Sequence, residues 1–435
     1  MSKKLIKKGI KTYKKQGPKG FAKKTAGFAK HKTELTAYRL LPSPLKKRID
    51  VKNEEYGFIS NKVFQIDSKD IQKSKEATSG PKPDKIKTAN WFVPYFDHLA
   101  FGGIYTIFRF INHFASKGVH NRIIIYDRPD LDKKKTLADI KKAFPNMDNA
   151  EIIVFDQDSM AINDLPSSDI SVCTFWVSAY FLLKFNKTKR KYYFIQDYEP
   201  LFYPGGATFA LAESTYRFRF KGIVNTPGLL AAVNQRHGLE GVSFKPAVDR
   251  TLYHPNPEKD NKKVKIFFYA RPNNPRNAFN LGVQIIKQLT DKYGDKIEIV
   301  TAGASWKERQ YGLHKLIKNR GLIKTLPEVA ELYRQCDIGF VYMLSKHPSY
   351  QPFEFMASGM ATVTNNNEDN LWLLRHEENC LLSEPSPKAM VEQISRLIDD
   401  NELRQRIVTE GLKTVENEWE WQTDLIWNDI EKSKD

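Results

Sequence analysis

The chain alternates between short apolar runs and segments of helical length, and it does so in two separate series. The first series extends from residues 90–95 to residues 221–225, and the second from residues 264–269 to residues 361–364. The runs are rich in β-branched and aromatic residues, which favour β-strands. Because helical segments separate most of the runs, each series predicts a mostly parallel sheet with helices packed on its faces. The predicted strands are residues 90–95, 122–126, 151–155, 170–175, 191–195 and 221–225, then 264–269, 297–300, 337–344 and 361–364.

A pair of glycines, Gly102 and Gly103, stands between the first predicted strand and the helical pattern of residues 104–116. Strand, glycine-rich turn, helix and strand form a βαβ unit of Rossmann type. The glycines could serve only to make a tight turn. They could also let a substrate approach the backbone, with the amino end of a helix behind it.

The length of 435 residues is too great for one ordinary domain. A proline-rich and charged stretch at residues 255–263 separates the two series and indicates a hinge near residue 255. We therefore predict an α/β protein of two Rossmann-like lobes. The predicted segments are a basic arm and linker at residues 1–87, an N-terminal lobe at 88–255, a C-terminal lobe at 256–410 and a C-terminal helix at 411–435, which could pack back on the N-terminal lobe.

The positive charge of the chain is concentrated at its beginning. The net charge is +18, and residues 1–32 hold twelve lysines and no acidic residue. Leu5, Ile6, Ile10 and Tyr13 fall on one helical face among these lysines, a pattern typical of a helix on an anionic membrane surface. The alternative is a disordered lysine tail. Nucleic-acid binding is not expected, because basic and aromatic residues do not interleave further along the chain.

Several classes of protein lack support in the sequence. Apolar runs of transmembrane length and a secretory signal are both missing, which favours a peripheral protein on the cytoplasmic face of a membrane. The three cysteines, Cys173, Cys336 and Cys380, have no metal-ligand spacing, and we expect them to be buried thiols. A phosphate-binding Walker motif is absent, and neither of two Asp-x-Asp sequences indicates a metal site better than it indicates a turn.

The residues most typical of a ligand site are in the second series. Glu354 lies between the predicted strand of residues 337–344 and a turn at Ser358 and Gly359, and a further strand follows. Ligands of open α/β sheets bind at the carboxyl ends of strands, so this carboxylate is expected to face a crevice. Tyr350 precedes it, but Pro348 and Pro352 indicate a loop there, so only the acid is well placed at a helix start.

Two further loops follow predicted strands directly. Residues 270–277 contain Arg271 and Arg276 and open a helix, and paired guanidinium groups beside a helix start suit a diphosphate. The alternative is a solvated proline-rich loop in which Asn277 caps the helix. Asp197 and Tyr198 follow the strand of residues 191–195, where they could bind sugar hydroxyls or could belong to a simple turn.

Together, two Rossmann-like lobes, an arginine loop after the first strand of the second lobe and the sequence Glu-Phe-Met-Ala-Ser-Gly at residues 354–359 resemble the GT-B glycosyltransferases. The chain is most similar to the retaining family (family 4 type) whose motif is two glutamates separated by seven residues. Glu354 matches the second glutamate. Lys346 stands where the first is expected, and in the family that glutamate faces the donor sugar.

This substitution and the sequence of residues 345–350 resemble a narrower group, the bacterial rhamnosyltransferases that use dTDP-L-rhamnose in surface-polysaccharide synthesis. Residues 196–200, 212–216 and 225–227 also resemble this group. The resemblance implies that Glu354 accepts a ribose hydroxyl and that Arg271 neutralises the leaving diphosphate. It also implies that Arg276 takes the place of a lysine that binds the donor in the family. It implies further donor or acceptor contacts for Tyr350, Lys324, Asp197 and Tyr198.

The family resemblance also implies transfer with retention, in which the leaving phosphate acts as base, without a metal, a cofactor or a protein nucleophile. The expected partners are a nucleotide-sugar donor and a lipid-linked or oligosaccharide acceptor. Two alternatives remain open. Lys346 in place of glutamate would suit a non-catalytic scaffold in a glycan assembly complex, and a sugar epimerase or phosphorylase could have the same fold.

Overall fold

The structure is a computed structural model that describes residue 58 and residues 61–81, 83–99, 102–259, 262–345 and 349–432. The chain forms two compact units, Met1–Gln65 and Ile66–Asp435. The second unit contains both sheets. The predicted membrane-binding arm at residues 1–32 and Lys346 lie outside the described residues. Along the part of the chain that is described, no helix has the length and apolar character needed to cross a membrane.

The first sheet has seven parallel strands, and we call it and its helices the N-lobe. Its spatial order is β3-β2-β1-β4-β5-β6-β7, which contains the Rossmann order 3-2-1-4-5-6. The strands are β1 (Thr88–Val93), β2 (His120–Ile125), β3 (Glu151–Val154), β4 (Ser168–Cys173), β5 (Thr188–Ile195), β6 (Lys221–Asn225) and β7 (Gly241–Phe244). The helices are α1 (Ser68–Ala77), α2 (Gly102–Ser116), α3 (Lys133–Ala143), α4 (Trp176–Lys184), α5 (Ala207–Ser214) and α6 (Pro227–His237).

The second sheet has six parallel strands and forms the C-lobe. Its order is β10-β9-β8-β11-β12-β13, again the Rossmann order. The strands are β8 (Val264–Ala270), β9 (Ile297–Gly303), β10 (Ile317–Asn319), β11 (Ile338–Val341), β12 (Ala361–Asn365) and β13 (Leu381–Ser383). The helices are α7 (Phe279–Tyr293), α8 (Leu326–Arg334), α9 (Gln351–Ala357), α10 (Pro387–Asp399) and α11 (Asn401–Thr414), and the C-terminal helix α12 (Trp419–Lys432) follows them in the chain.

In each sheet the strand order reverses next to the first strand, at β1 and β4 in the N-lobe and at β8 and β11 in the C-lobe. Loops that leave the carboxyl ends of these strands diverge to opposite faces and leave a crevice, which is where ligands of such sheets bind. Gly102 and Gly103 follow β1 and start α2. Arg271 and Arg276 follow β8, and Glu354 follows β11.

The helices are held to the sheets by aromatic cores. On α2, Phe110 packs edge-on against Phe194 of β5, with ring centroids 4.9 Å apart. Phe114 of α2 meets Trp427 of α12 at 5.0 Å, so the C-terminal helix completes the N-lobe core although it follows the C-lobe in sequence. In the C-lobe, Phe268 of β8 stacks on Phe340 of β11 at 4.7 Å. All three cysteines are buried and unpaired, as predicted.

The structure differs from the sequence-based expectation at the start of the N-lobe. The polar segment after Asp67 was expected to be a linker, but it contains α1, and α1 packs against α4. Asp67 caps this helix, since its side chain accepts hydrogen bonds from the backbone N–H of Lys69 and Asp70 at 2.8 and 3.2 Å. A complete capping box, in which the Asp70 side chain also accepts from the N–H of Asp67, stabilises a helix that has few apolar residues.

Candidate functional site

Glu354 lies in the first turn of α9, directly after the loop that leaves β11. The helix rests closely on the strand because residue 339 is glycine. A Cβ atom at Gly339 would come within 2.4 Å of the Phe355 ring. The helix ends at Ser358, and Gly359 then adopts φ +73°, a left-handed conformation that glycine takes without strain. These two glycines fix the position of the carboxylate between the lobes.

Glu354 as a whole residue is half-buried, its carboxyl group is the buried part, and the polar groups that act on it come from more than one part of the chain. Burial raises its pKa to about 7, while the Tyr253 hydroxyl and the positive charge of Arg109 oppose this shift. Arg109 belongs to α2 of the N-lobe, and Tyr253 belongs to the connection between the lobes. Glu354 is therefore close to changing its charge at neutral pH, and a cation next to it stabilises the carboxylate.

Arg109 is a functional candidate that the sequence analysis missed. Its guanidinium lies 4.8 Å from the ring centroid of Tyr105 and 5.0 Å from that of Trp419 on α12. It also contacts Asp249 at 3.5 Å. The sequence contained one indication, because Arg109 interrupts the apolar surface of a helix that begins at the predicted crevice. Nothing in the pattern related it to Glu354, because the two residues belong to different lobes.

The structure brings together two predicted site residues that the sequence analysis treated separately. Asp197, after β5, forms an ion pair with Arg276 of the loop after β8, with Oδ2 and Nη1 2.5 Å apart. The other carboxylate oxygen of Asp197 accepts a hydrogen bond from the Ser345 hydroxyl. The Arg276 guanidinium lies 3.8 Å from the ring centroid of Phe202. One N-lobe carboxylate thus holds two C-lobe loops.

Beneath this pair lies a second acid, Glu199, which is 3% exposed. Its Oε2 accepts hydrogen bonds from the backbone N–H of Trp176 at 2.6 Å and from the Tyr193 hydroxyl at 2.8 Å. Burial nevertheless raises its pKa to about 8, and the negative charge of Asp197 acts in the same direction. Glu199 is therefore mostly protonated at pH 7, and its hydrogen bonds fix the loop that presents Asp197.

Tyr350, at the N-cap of α9, connects the lobes. Its hydroxyl lies 3.1 Å from Nδ2 of Asn225, which donates to it, and 3.3 Å from the Thr106 hydroxyl. The same ring approaches Gly102, where an added Cβ would lie 3.7 Å from it. Gly103 is held by Gln196, whose side-chain amide donates to its carbonyl at 2.9 Å. The predicted glycine turn therefore faces Tyr350 and the loop after β5.

Tyr198 is placed differently from the expectation that it faces a sugar. Its side chain is 1% exposed, and its hydroxyl donates to Glu213 at 3.0 Å and lies 2.8 Å from Nε2 of His237. Burial raises its pKa to about 12. All of these partners belong to the N-lobe. This placement favours a structural role for Tyr198, while Asp197 beside it faces the C-lobe.

Arg271 is half-buried and forms no ion pair with any carboxylate that the structure describes. Its guanidinium lies 6.0 Å from the centroid of Tyr269. Burial raises the pKa of Tyr269, Arg271 opposes this rise, and the charge of Glu354 adds to it. The alternative interpretation, in which Asn277 caps the helix, is wrong, because Ala278, with φ +46°, takes the N-cap position of α7. Lys324 is exposed in the connection between β10 and α8.

Polar atoms near these loops are left without partners. The buried Oε1 of Gln196 and the buried Oδ1 of Asn277 accept no hydrogen bond within the described parts of the chain. Such orphaned atoms are rare in protein interiors and are common where a ligand binds. Among the described side chains, no group of three or more His, Cys, Asp and Glu residues is arranged to hold a metal ion.

Comparison with sequence families identifies both lobes. Residues 89–226 match the WsaF N-terminal domain, and residues 264–395 match the WsaF C-terminal domain. Together the two ranges include more than half of the 435 residues. The O-antigen biosynthesis protein RfbC of Myxococcus xanthus is 40% identical over 344 residues, which are 79% of this chain and 27% of that protein. The chain thus spans about a quarter of the length of this curated relative.

Solved structures show the same fold at low sequence identity. Sucrose-phosphate synthase from Thermosynechococcus elongatus matches with a TM-score of 0.63 and 12% identity, over 79% of this chain and 98% of that chain. TarM of S. aureus matches with a TM-score of 0.62 and 10% identity, over 80% and 99%. Anabaena HepE, solved with UDP and glucose, matches with a TM-score of 0.60 and 12% identity, over 80% and 100%.

These neighbours confirm the predicted GT-B fold, since their two parallel-sheet lobes superpose on those described above. The identities are too low to transfer more than the fold. The family is identified by the two domain matches, which cover residues 89–226 and 264–395. The chain therefore belongs to the WsaF family, whose N-terminal and C-terminal domains form the two lobes of its GT-B fold.

Proposed function

We propose that this chain is a glycosyltransferase that moves L-rhamnose from dTDP-L-rhamnose to a growing bacterial cell-surface glycan, with retention of configuration and without a metal. The relative from Myxococcus xanthus is named for O-antigen biosynthesis, and HepE of the same fold was solved with UDP-glucose. These names support a nucleotide-sugar donor and a glycan product. The choice of rhamnose and of thymidine rests on the resemblance of residues 196–200, 212–216, 225–227 and 345–350.

One observation carries the proposal. Four charged side chains, Glu354, Arg271, Asp197 and Arg276, lie on loops at the carboxyl ends of the two sheets. An arginine without a carboxylate partner is available to a diphosphate, and a guanidinium fork binds phosphate oxygens in pairs. The Glu354 carboxylate, which acts on the same Tyr269 as Arg271, would accept a hydroxyl of the nucleotide's pentose. This is the division of roles that a nucleotide-diphosphate sugar requires.

The chemistry assigned to these residues is electrostatic. As the bond between sugar and diphosphate breaks, negative charge accumulates on the leaving phosphate, and Arg271 and Arg276 would stabilise it. Arg276 can do so only if it exchanges Asp197 for the phosphate. Asp197 would then be free to interact with the sugar or the acceptor. The unpartnered Gln196 and Asn277 oxygens are further acceptors for sugar hydroxyls.

Product analysis with dTDP-L-rhamnose labelled in the sugar tests the proposal. A glycosyltransferase releases dTDP and transfers the label to an acceptor or, more slowly, to water. An epimerase leaves the label attached to dTDP, and a phosphorylase requires phosphate and yields a labelled sugar phosphate. Failure to bind any nucleotide would favour a scaffold in a glycan assembly complex and would contradict the proposal.

A further inference from the structure

A second pocket lies on the N-lobe, at the opposite end of its sheet from the candidate site. It is formed by the end of α1, the loop that follows it and the amino ends of β5 and β6, and its volume is about 370 Å³. The lining contains no acidic residue. Its cationic side chains are Lys75, Arg190, Lys191, Arg219 and Lys221.

Two of these cations are used by the fold. The Nη1 group of Arg190 donates to the carbonyls of Thr78 and Gly80, both at 3.0 Å, and so closes the end of α1. Lys191 is 5% exposed, and its ammonium donates to the Ser74 hydroxyl at 2.8 Å. Both side chains therefore have hydrogen-bond acceptors within the fold. Their presence in the pocket is explained without an external ligand.

The other three cations have no such explanation. Lys75, Arg219 and Lys221 are exposed, and across the described residues their side chains contact neither a carboxylate nor any other hydrogen-bond acceptor. Arg219 adopts φ +65°, an uncommon conformation for a residue with a side chain. Its neighbours Phe218 and Phe220 are buried, so the backbone presents the arginine at the rim while both rings line the wall.

The position separates this pocket from the candidate site. Arg190 lies near the amino end of β5, and Asp197 follows its carboxyl end. Seven residues of extended chain span roughly 20 Å. A ligand in the pocket would therefore not occupy the cleft between the lobes. Like charges gathered without counter-charges repel one another, and a bound anion would remove that repulsion.

We propose that this pocket binds a phosphate-bearing anion. Three free cations on its rim, Lys75, Arg219 and Lys221, would hold the phosphate oxygens, and the aromatic wall would exclude water from one side of the ligand. The pocket is large enough for a phosphate with a substituent. Two sources offer this chemistry, an anionic lipid headgroup and a free phosphorylated molecule.

Titration with pyrophosphate tests the binding. The measurement is made by calorimetry in an Arg271→Ala background, so that binding in the cleft is weakened and is the same in every variant compared. Arg219→Ala/Lys221→Ala should raise the Kd for pyrophosphate about tenfold or more. Lys75→Ala, on a separate element, should also weaken binding. The matched control is Lys134→Ala/Lys142→Ala, which removes the same charge from the exposed surface of α3 and should leave Kd unchanged.

Vesicle sedimentation of the full chain distinguishes the two sources. Phosphatidylcholine vesicles with and without phosphatidylglycerol are compared for the two double variants. A lipid headgroup predicts weaker sedimentation with phosphatidylglycerol for Arg219→Ala/Lys221→Ala than for the control. A free phosphorylated ligand predicts a change in the pyrophosphate Kd alone. Equal behaviour of both double variants in both measurements would overturn the proposal.

Discussion

Asp197 of the N-lobe and Arg276 of the C-lobe form an ion pair across the interlobe cleft, with 2.5 Å between Oδ2 and Nη1. The arginine is one-third exposed, and the carboxylate is 13% exposed. A diphosphate that binds Arg276 must compete with Asp197 for it. Under the proposed function, donor binding to Arg276 would therefore release an acid next to the sugar.

Replacing Asp197 should separate donor binding from turnover. In Asp197→Asn the charge that competes for Arg276 is removed, so the Kd for dTDP should fall several-fold. Turnover of the donor should fall at least tenfold, because the freed carboxylate is missing from the sugar position. Calorimetry and a dTDP-release assay give the two quantities. Glu298→Gln, which removes the partner of Lys318 elsewhere on the C-lobe, serves as control and should change neither. A higher Kd in Asp197→Asn would contradict this account of the pair.

Glu354→Gln should weaken nucleotide binding and remove its pH dependence. The pKa of Glu354 is raised to about 7, so the carboxylate that is proposed to accept a hydroxyl of the nucleotide's pentose forms as the pH rises through 7. In the unmodified chain the Kd for thymidine should therefore fall between pH 6 and pH 8, and in the variant it should not. Loss of a charged hydrogen bond should raise Kd about tenfold at pH 8. Thymidine is the appropriate probe because it has no phosphate to titrate. If the Kd for thymidine depends on pH in the same way in the unmodified chain and in Glu354→Gln, the role assigned to Glu354 is excluded.

The buried acid Glu199 should make the fold less stable at alkaline pH. Its pKa is about 8 in the folded chain against an ordinary value of 4.5, so the folded state keeps a proton that the unfolded state releases. The free energy of unfolding therefore falls as the pH rises from 4.5 to 8. Between pH 6 and pH 9 this contribution is on the order of 2 kcal/mol.

Urea unfolding of the unmodified chain and of Glu199→Gln at pH 6 and at pH 9 isolates the contribution of Glu199 to the free energy of unfolding. Glutamine does not titrate, so the unmodified chain should lose more stability than the variant. Contributions from other groups, including Lys191, cancel in the comparison. Equal losses would mean that Glu199 is ionised throughout this range.

Tyr350→Phe should loosen the contact between the lobes. The change removes the hydroxyl that Asn225 and Thr106 contact, and a buried amide then lacks that acceptor. The expected cost is about 1 kcal/mol in the free energy of unfolding. Tyr342→Phe is a matched control, because the Tyr342 hydroxyl is buried and has no hydrogen-bond partner among the described residues. A larger loss from Tyr342→Phe would contradict the assignment.

Deletion of residues 1–32 tests the proposed membrane arm. The segment carries twelve lysines, and each should contribute to attraction by an anionic surface. Sedimentation with phosphatidylglycerol vesicles should fall, and hydrolysis of a soluble donor should be unchanged. Unchanged sedimentation would exclude the membrane role of the arm.

The central part of each sheet could be predicted from the sequence because those strands are apolar and separated by helices. The strands that were missed, β7, β10 and β13, are short and lie at or near sheet edges. Edge strands are less buried, so their composition differs little from that of loops. The helix α1 was missed because its apolar pattern is weak, although the capping residues Asp67 and Asp70 were visible in the sequence.

For the candidate site, the loop that carries each residue could be predicted from the sequence. The residue that it contacts in the other lobe could not. Glu354 and Arg271 were found because each follows a central strand. Arg109 was missed, because its neighbour Glu354 is distant in sequence and belongs to the other sheet. The same reason hid the pairing of Asp197 with Arg276. Cross-lobe contacts depend on how the two sheets pack against each other, and no local pattern encodes that.

The most direct measurement of the central claim is a calorimetric titration of dTDP-, UDP- and GDP-sugars into the unmodified chain and into Arg271→Ala, with donor turnover measured in the same samples. The account predicts that dTDP-L-rhamnose binds and is turned over by the unmodified chain, and that Arg271→Ala keeps its fold but loses at least tenfold in affinity. Binding of no nucleotide sugar, or equal affinity and turnover in Arg271→Ala, would contradict it.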